Sequence, residues 1–178
     1  MTHQIGVAWL AAAVLLRQQA DDPSLDVSLR QACLRRSIST AYYAVFHLIT
    51  GDSTALVCVG AHESPVAHRL WRSLNHADLK KVLASLLGSV EYDQKKGSGP
   101  GPIVMPLQCM QTLAETFIGL QKARETADYA FDQPVDVVKA DQELANAEAV
   151  LSEWQLLPPD LKQQFAQLLL LRVMPNPR

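Results

Sequence analysis

An all-α fold is predicted from three observations on this chain. Its long apolar patterns recur every three to four residues, the period of a helix. Proline and glycine clusters cut it into helix-length pieces. No set of alternating segments stands ready to pair as a sheet, and no internal repeat is visible. Helices of this kind bury their apolar stripes against each other, and antiparallel neighbours in a bundle are the expected result.

The first helix is expected over residues 3–19, where Ile5, Trp9, Ala12, Ala13 and Leu16 follow the period. "ADDPSLD" breaks it, with Pro23 at its centre. A second helix should run from about Ser28 to Thr50. Ile38, Ala41, Val45, Leu48 and Ile49 form its apolar face, and Gly51 is the expected stop. Residues 51–65 read as helix or loop. "SPVAHRLWRSLN" and "HADLKKVLASLLG" read as two short helical pieces or one broken helix, with Asn75 as a cap for the second piece and Gly88 as its end. "EYDQKKGSGPGPIVMP" is the clearest loop. A long helix follows from Leu107 to about Ala130, its stripe being Met110, Leu113, Phe117, Leu120, Arg124, Ala127 and Phe131. Another is expected from Val135 to Trp154, rich in alanine and glutamate. After "LLPPD", Leu161, Phe165, Leu168 and Arg172 mark a last helix. Its four consecutive leucines cannot share one face.

Composition narrows the function. At 178 residues, with 48% hydrophobic and 19% charged residues, the chain suits one domain with a sizeable core. A net charge of -2 argues against general polyanion binding but leaves room for a local basic patch. No uncharged run of 18 apolar residues is present, so no membrane partner is expected. The apolar run Ile5–Leu16 resembles a signal core but lacks a positive leading region, so no cleaved leader is expected. Cys33, Cys58 and Cys109 are odd in number and not closely paired, which favours a reducing, cytoplasmic setting. No zinc-ligand spacing occurs, and neither metal nor cofactor is called for.

The stretch "CLRRSISTAYYAVFHLI", Cys33 to Ile49, carries the candidate site. On a helix, Arg36, Thr40, Tyr43 and His47 share one side. Arg35, Ser39, Tyr42 and Phe46 form the next row. Such residues serve first as a semi-buried packing boundary, and otherwise as a site lining or as a grip on a partner. Arg124 in "LQKARETADY" adds a second group. Burying it requires acceptors, and Asp128, four residues on, can supply one across a helical turn. Tyr129 follows on an adjacent face. An intrahelical ion pair with a tyrosine anchor is the plain alternative. Cleavage of RNA by its own 2′-hydroxyl would need a base, an acid and a cation at the phosphate. Arg124 suits the last role, and His47 or Tyr129 are candidates for proton transfer. His62, His68 and His76 lie on a segment of less certain structure, and His68 and Arg72 share a helical face.

"RRSISTAYYAVFH" together with "ARETADY" resembles the HEPN superfamily of small helical domains. The resemblance covers roughly residues 5–155. It implies an antiparallel bundle of four or five helices over residues 1–155, with an added C-terminal helix and tail, 156–178, packed on the same domain. It also implies a homodimer. Members bind nucleotides, RNA or a cognate partner protein, and many are metal-independent RNases of toxin–antitoxin and defence systems. Their active motif joins an arginine and a following polar residue to a histidine a few positions on. Arg124 and Glu125 match the first two positions. Residues 125–133 contain no histidine, and Asp128 and Tyr129 stand near its place. The resemblance therefore favours a noncatalytic binding module, with a metal-independent RNase using Arg124 with His47 or Tyr129, or a purely structural helical protein, as the alternatives. The module's binding residues would be Arg36, Tyr43, His47, Arg124, Asp128 and Tyr129.

Overall fold

The structure is a computed structural model and describes residues 2–58, 64–84 and 104–173. Among the described residues the regular structure is helical, with no strand. In chain order the helices are α1 (Thr2–Gln19), α2 (Val27–Val57), α3 (Pro65–Ser73), α4 (residues 76–84), α5 (Val104–Tyr129), α6 (Val137–Leu156) and α7 (Pro159–Val173). The expected loop at 91–106 lies outside the described residues up to 103, as does Gly88. The chain divides into two compact units. One comprises Met1–Leu48 and Thr116–Ser152. The other comprises Ile49–Glu115 and Glu153–Arg178.

Helix starts follow side-chain chemistry. The first backbone N–H groups of a helix lack internal partners, and a short polar side chain can accept from them. Asp26 accepts from the Leu29 N–H at 2.8 Å, opening α2. Ser64 accepts from Ala67 N–H at 3.2 Å, with Pro65 in the first turn of α3. Asn75 accepts from Asp78 N–H at 2.9 Å, the expected cap of α4. Asp136 accepts from Lys139 N–H at 2.6 Å, so α6 begins at Val137 rather than Val135. The fifth helix begins at Val104, not Leu107, and takes Pro106 into its first turn, where a missing N–H costs nothing.

Gly51 does not stop the second helix. Helix α2 continues to Val57, and its tail supplies acceptors to two tryptophans of the second unit. Trp71 Nε1 donates to Thr50 Oγ1 at 3.1 Å, and Trp154 Nε1 donates to Asp52 Oδ2 at 3.0 Å. A buried indole N–H needs such a partner, and only a helical backbone here keeps Thr50 and Asp52 on the turn beyond Ile49. In the same unit Phe165 of α7 meets the Trp154 ring edge-on, with centroids 5.4 Å apart. The leucine run splits as helical geometry requires: Leu169 is buried, while Leu168, expected in the stripe, is exposed.

The first unit is built around α2. Leu34, Ile38, Ala123, Ala127, Val135 and Ala140 share one core cluster with Ala20. Ala41, Tyr42, Ala44, Val45 and Leu48 are fully buried, so α2 is covered on nearly every side. Phe131, placed in the α5 stripe by its spacing, lies beyond the helix end and is 79% exposed. Ala12, also expected inward, is exposed, and Ala13 takes the buried position.

Two helical glycines differ sharply. A Cβ on Gly6 would lie 3.0 Å from Leu48 Cβ and 3.1 Å from the Ala44 carbonyl oxygen, so α1 crosses α2 at close range there. A Cβ on Gly119 would meet nothing within 4 Å. Alanine outranks glycine inside a helix by about 1 kcal/mol. Gly119→Ala is therefore expected to raise the melting temperature by a few degrees, and Gly6→Leu to lower it. Thermal denaturation checks both, and a stabilising Gly6→Leu would refute the close crossing.

Candidate functional site

The site lies within the first unit, where α2 and α5 run antiparallel. Rising numbers on α2 meet falling numbers on α5. Arg35 reaches the residues at the end of α5, Ser39 reaches Asp128, Tyr43 reaches Arg124, and Tyr42 packs on Phe117 with centroids 5.4 Å apart.

The outermost contact is a C-terminal cap. The last carbonyls of a helix have no internal donors. Arg35 Nη1 donates to the Ala127 carbonyl at 2.9 Å, and Nη2 donates to Ala130 at 3.0 Å and Gln133 at 2.5 Å. The same guanidinium lies 5.6 Å from the Phe131 ring centroid. A planar fork with several fixed donors serves this role in a way that an ammonium cannot. Gln31 fixes the following turn, donating to the Val135 carbonyl at 2.7 Å and accepting from the Val135 N–H at 2.9 Å.

Inward of the cap lies a charged cluster. Asp128 accepts from Ser39 Oγ at 2.5 Å. Its other oxygen is 2.9 Å from Arg124 Nε, one turn back along α5. Arg36 Nη1 is 3.9 Å from Asp128 Oδ1. Arg124 Nη2 donates to the Tyr43 hydroxyl at 2.9 Å. The Arg124 and Asp128 side chains are 17% and 16% exposed, while that of Arg36 is 70% exposed. Burial opposes charge on Arg124. The Tyr43 hydrogen bond and the nearby Asp128 carboxylate are among the contacts that more than offset it, so its pKa is raised above the ordinary arginine value. Arg124 is a permanent, fixed cation. Its guanidinium lies 5.5 Å from the Tyr129 ring centroid and 5.6 Å from that of Tyr43. The exposed Tyr129 ring thus flanks it. The buried Arg124 Nε holds the ion pair with Asp128 without meeting hydrogen-bond geometry.

Asp128 sits one residue before the end of α5, where the helix dipole disfavours a negative charge by roughly 0.3–1 kcal/mol. Arg35 on the last carbonyls and the two arginines beside the carboxylate offset that cost.

His47 stands one turn beyond Tyr43, in an aromatic cluster. Its ring centroid is 5.2 Å from Trp9, 5.4 Å from Phe46 and 6.1 Å from Tyr43. It is joined to Arg124 through the Tyr43 ring rather than by a hydrogen bond to the guanidinium. Burial lowers its pKa below the ordinary 6.5. Burial also holds Tyr42 as the neutral phenol. His68 and Arg72 are exposed on α3 and belong to the second unit.

Of the residues expected at the site, Arg36, Tyr43, Arg124, Asp128 and Tyr129 come together, and His47 lies one ring away. Sequence reading did not single out Ser39, Arg35 or Trp9. Ser39 and Arg35 stood in the second row of α2, and the antiparallel register turns that row toward the end of α5. Trp9 carried no such signal, since its spacing marked it as core. Among the described residues no group of three metal-ligating side chains occurs. No described helix is long and apolar enough to cross a membrane. Searches against family models, curated proteins and solved structures found no match to this chain.

Neutral His47 makes stability depend on pH. The folded chain binds this proton less readily than the unfolded chain. Its contribution is fully present above pH 6.5 and is lost as pH falls through the lowered folded value. His47→Phe should flatten the decline in melting temperature below pH 6.5. An equal slope in the variant and the parent would exclude His47 as its source.

Proposed function

We propose that this chain is a noncatalytic HEPN-type module that captures a phosphate-bearing ligand, a nucleotide or RNA, at the Arg36–Arg124 edge. The observation carrying this reading is the state of Arg124. Among the described residues its contacts are Tyr43, Asp128 and Tyr129, and none of these supplies an imidazole. A metal-independent RNase of this class needs an acid and a base at the scissile phosphate. Asp128 is committed to Ser39 and two arginines, and His47 is half-buried behind Tyr43. Binding, by contrast, needs fixed donors and an accessible edge. Arg124 supplies a fixed guanidinium, Arg36 an exposed one, and Tyr129 an exposed ring on which a base can stack.

A structural role for the same pair has support of its own, since hydrogen bonds to charged groups contribute about 1.5–3 kcal/mol. Arg124→Ala is therefore expected to lower the melting temperature as well as ligand capture. Arg36→Ala separates the two roles, because its exposed side chain adds little to stability. The homodimer and a cognate protein of a toxin–antitoxin or defence system are further parts of this proposal, and both rest on the HEPN resemblance.

The test compares wild type, Arg36→Ala and Arg124→Ala for cleavage of single-stranded RNA without metal, for RNA and nucleotide retention, and for melting. Wild type should leave RNA intact and retain it in a salt-sensitive manner. Arg36→Ala should weaken retention with little change in melting. Metal-free cleavage that vanishes in a folded Arg124→Ala would overturn the noncatalytic reading. Light scattering of the same samples should give twice the 19.6 kDa chain mass. A constant single-chain mass across concentrations would remove the dimer.

A further inference from the structure

Asp128 stands where an incoming anion would have to go. Its carboxylate faces Arg124 Nε at 2.9 Å and Arg36 Nη1 at 3.9 Å, the two cations of the proposed site. Ser39 Oγ holds one of its oxygens at 2.5 Å. The position is electrostatically awkward for a carboxylate, one residue before the C-terminus of α5. Tyr43 already fixes Arg124 from the other side at 2.9 Å, so the guanidinium does not depend on Asp128 alone for its placement.

We infer that Asp128 is a resident competitor. It occupies the arginine pair in the unliganded chain and weakens binding of a phosphate group until that group displaces it or shares the cations with it. This inference rests on the phosphate-binding reading above and adds a regulating residue to it. The chemistry comes from charge and geometry. A phosphate approaching Arg36 and Arg124 Nη1 meets two positive charges and one negative. Neutralising Asp128 removes the repulsion and releases the exposed Arg36 Nη1 to pair with the phosphate beside Arg124. Ser39 is the latch, because its hydroxyl holds the carboxylate against α2. Loosening that latch should act in the same direction as removing the charge, but less strongly.

The experiment is equilibrium binding of inorganic phosphate, a nucleoside 5′-monophosphate and a short 5′-phosphorylated single-stranded RNA. It compares wild type, Asp128→Asn, Ser39→Ala and the double variant Asp128→Asn/Arg124→Ala, each checked for melting. Asp128→Asn should tighten binding of the phosphate-bearing probes by about fivefold, the upper range for a partly exposed charge pair. Ser39→Ala should give a smaller gain, and the added Arg124→Ala should abolish the Asp128→Asn gain. A gain shared by all three probes identifies the phosphate itself as the recognised group. A gain confined to the RNA assigns the site to polynucleotide. Unchanged or weaker binding in a folded Asp128→Asn overturns the competitor role while leaving the binding site standing. If Asp128→Asn does not fold, Ser39→Ala decides in the same way. If no form binds any probe, the phosphate-binding reading fails and the inference falls with it.

Discussion

The antiparallel register between α2 and the last turns of α5 is the constraint on which the first unit's chemistry depends. Helix α5 ends with carbonyls that need donors, and Arg35 of α2 supplies a rigid fork to the Ala127 carbonyl and to those of Ala130 and Gln133 in the turn that follows. Once that end is fixed, the four-residue spacing along α2 sets the remaining pairings. Ser39 falls beside Asp128, and Tyr43 falls beside Arg124. Each of these pairings is polar, yet each sits at the margin of a core in which Leu34, Ile38, Ala123 and Ala127 are buried. The apolar cluster brings the helices together. The charged contacts specify which turn of one meets which turn of the other, a slip of one turn being enough to leave several polar groups unpartnered.

The same register explains why the arginine is held so firmly. Arg124 is gripped on both sides, by Asp128 along its own helix and by Tyr43 from α2. His47 follows Tyr43 on α2, but the antiparallel direction carries it away from Asp128 and toward Trp9 of α1. Burial among aromatic rings lowers the pKa of this imidazole, so its protonation works against the folded state. The cluster leaves exposed a basic and aromatic edge formed by Arg36 and Tyr129.

Helix identity was legible in the sequence because the apolar period persists over long stretches and because caps such as Asn75 stand where helices begin. Helix ends were less so. Gly51 reads as a stop by local rules, yet Trp71 and Trp154 donate hydrogen bonds to Thr50 and Asp52 beyond Ile49, and tertiary contacts override the local preference. Phe131 reads as one more step of an apolar stripe, but α5 ends at Tyr129 and turns its ring toward solvent and Arg35. The Arg124–Asp128 pair follows from spacing within a single helix. Ser39 and Arg35 do not, because their roles depend on the direction of a helix some ninety residues away in the chain.

The most direct test of the register is backbone hydrogen exchange in Arg35→Met. This substitution keeps much of the side chain's apolar bulk and removes every donor to the end of α5. Loss of those charge-assisted bonds is expected to cost about 2–3 kcal/mol. Protection should fall selectively at amides from Thr126 to Val135, while the buried middle of α2 around Ala41 and Val45 stays protected. Unchanged exchange across the end of α5, with stability equal to that of the parent, would contradict the register as the organising contact of this unit.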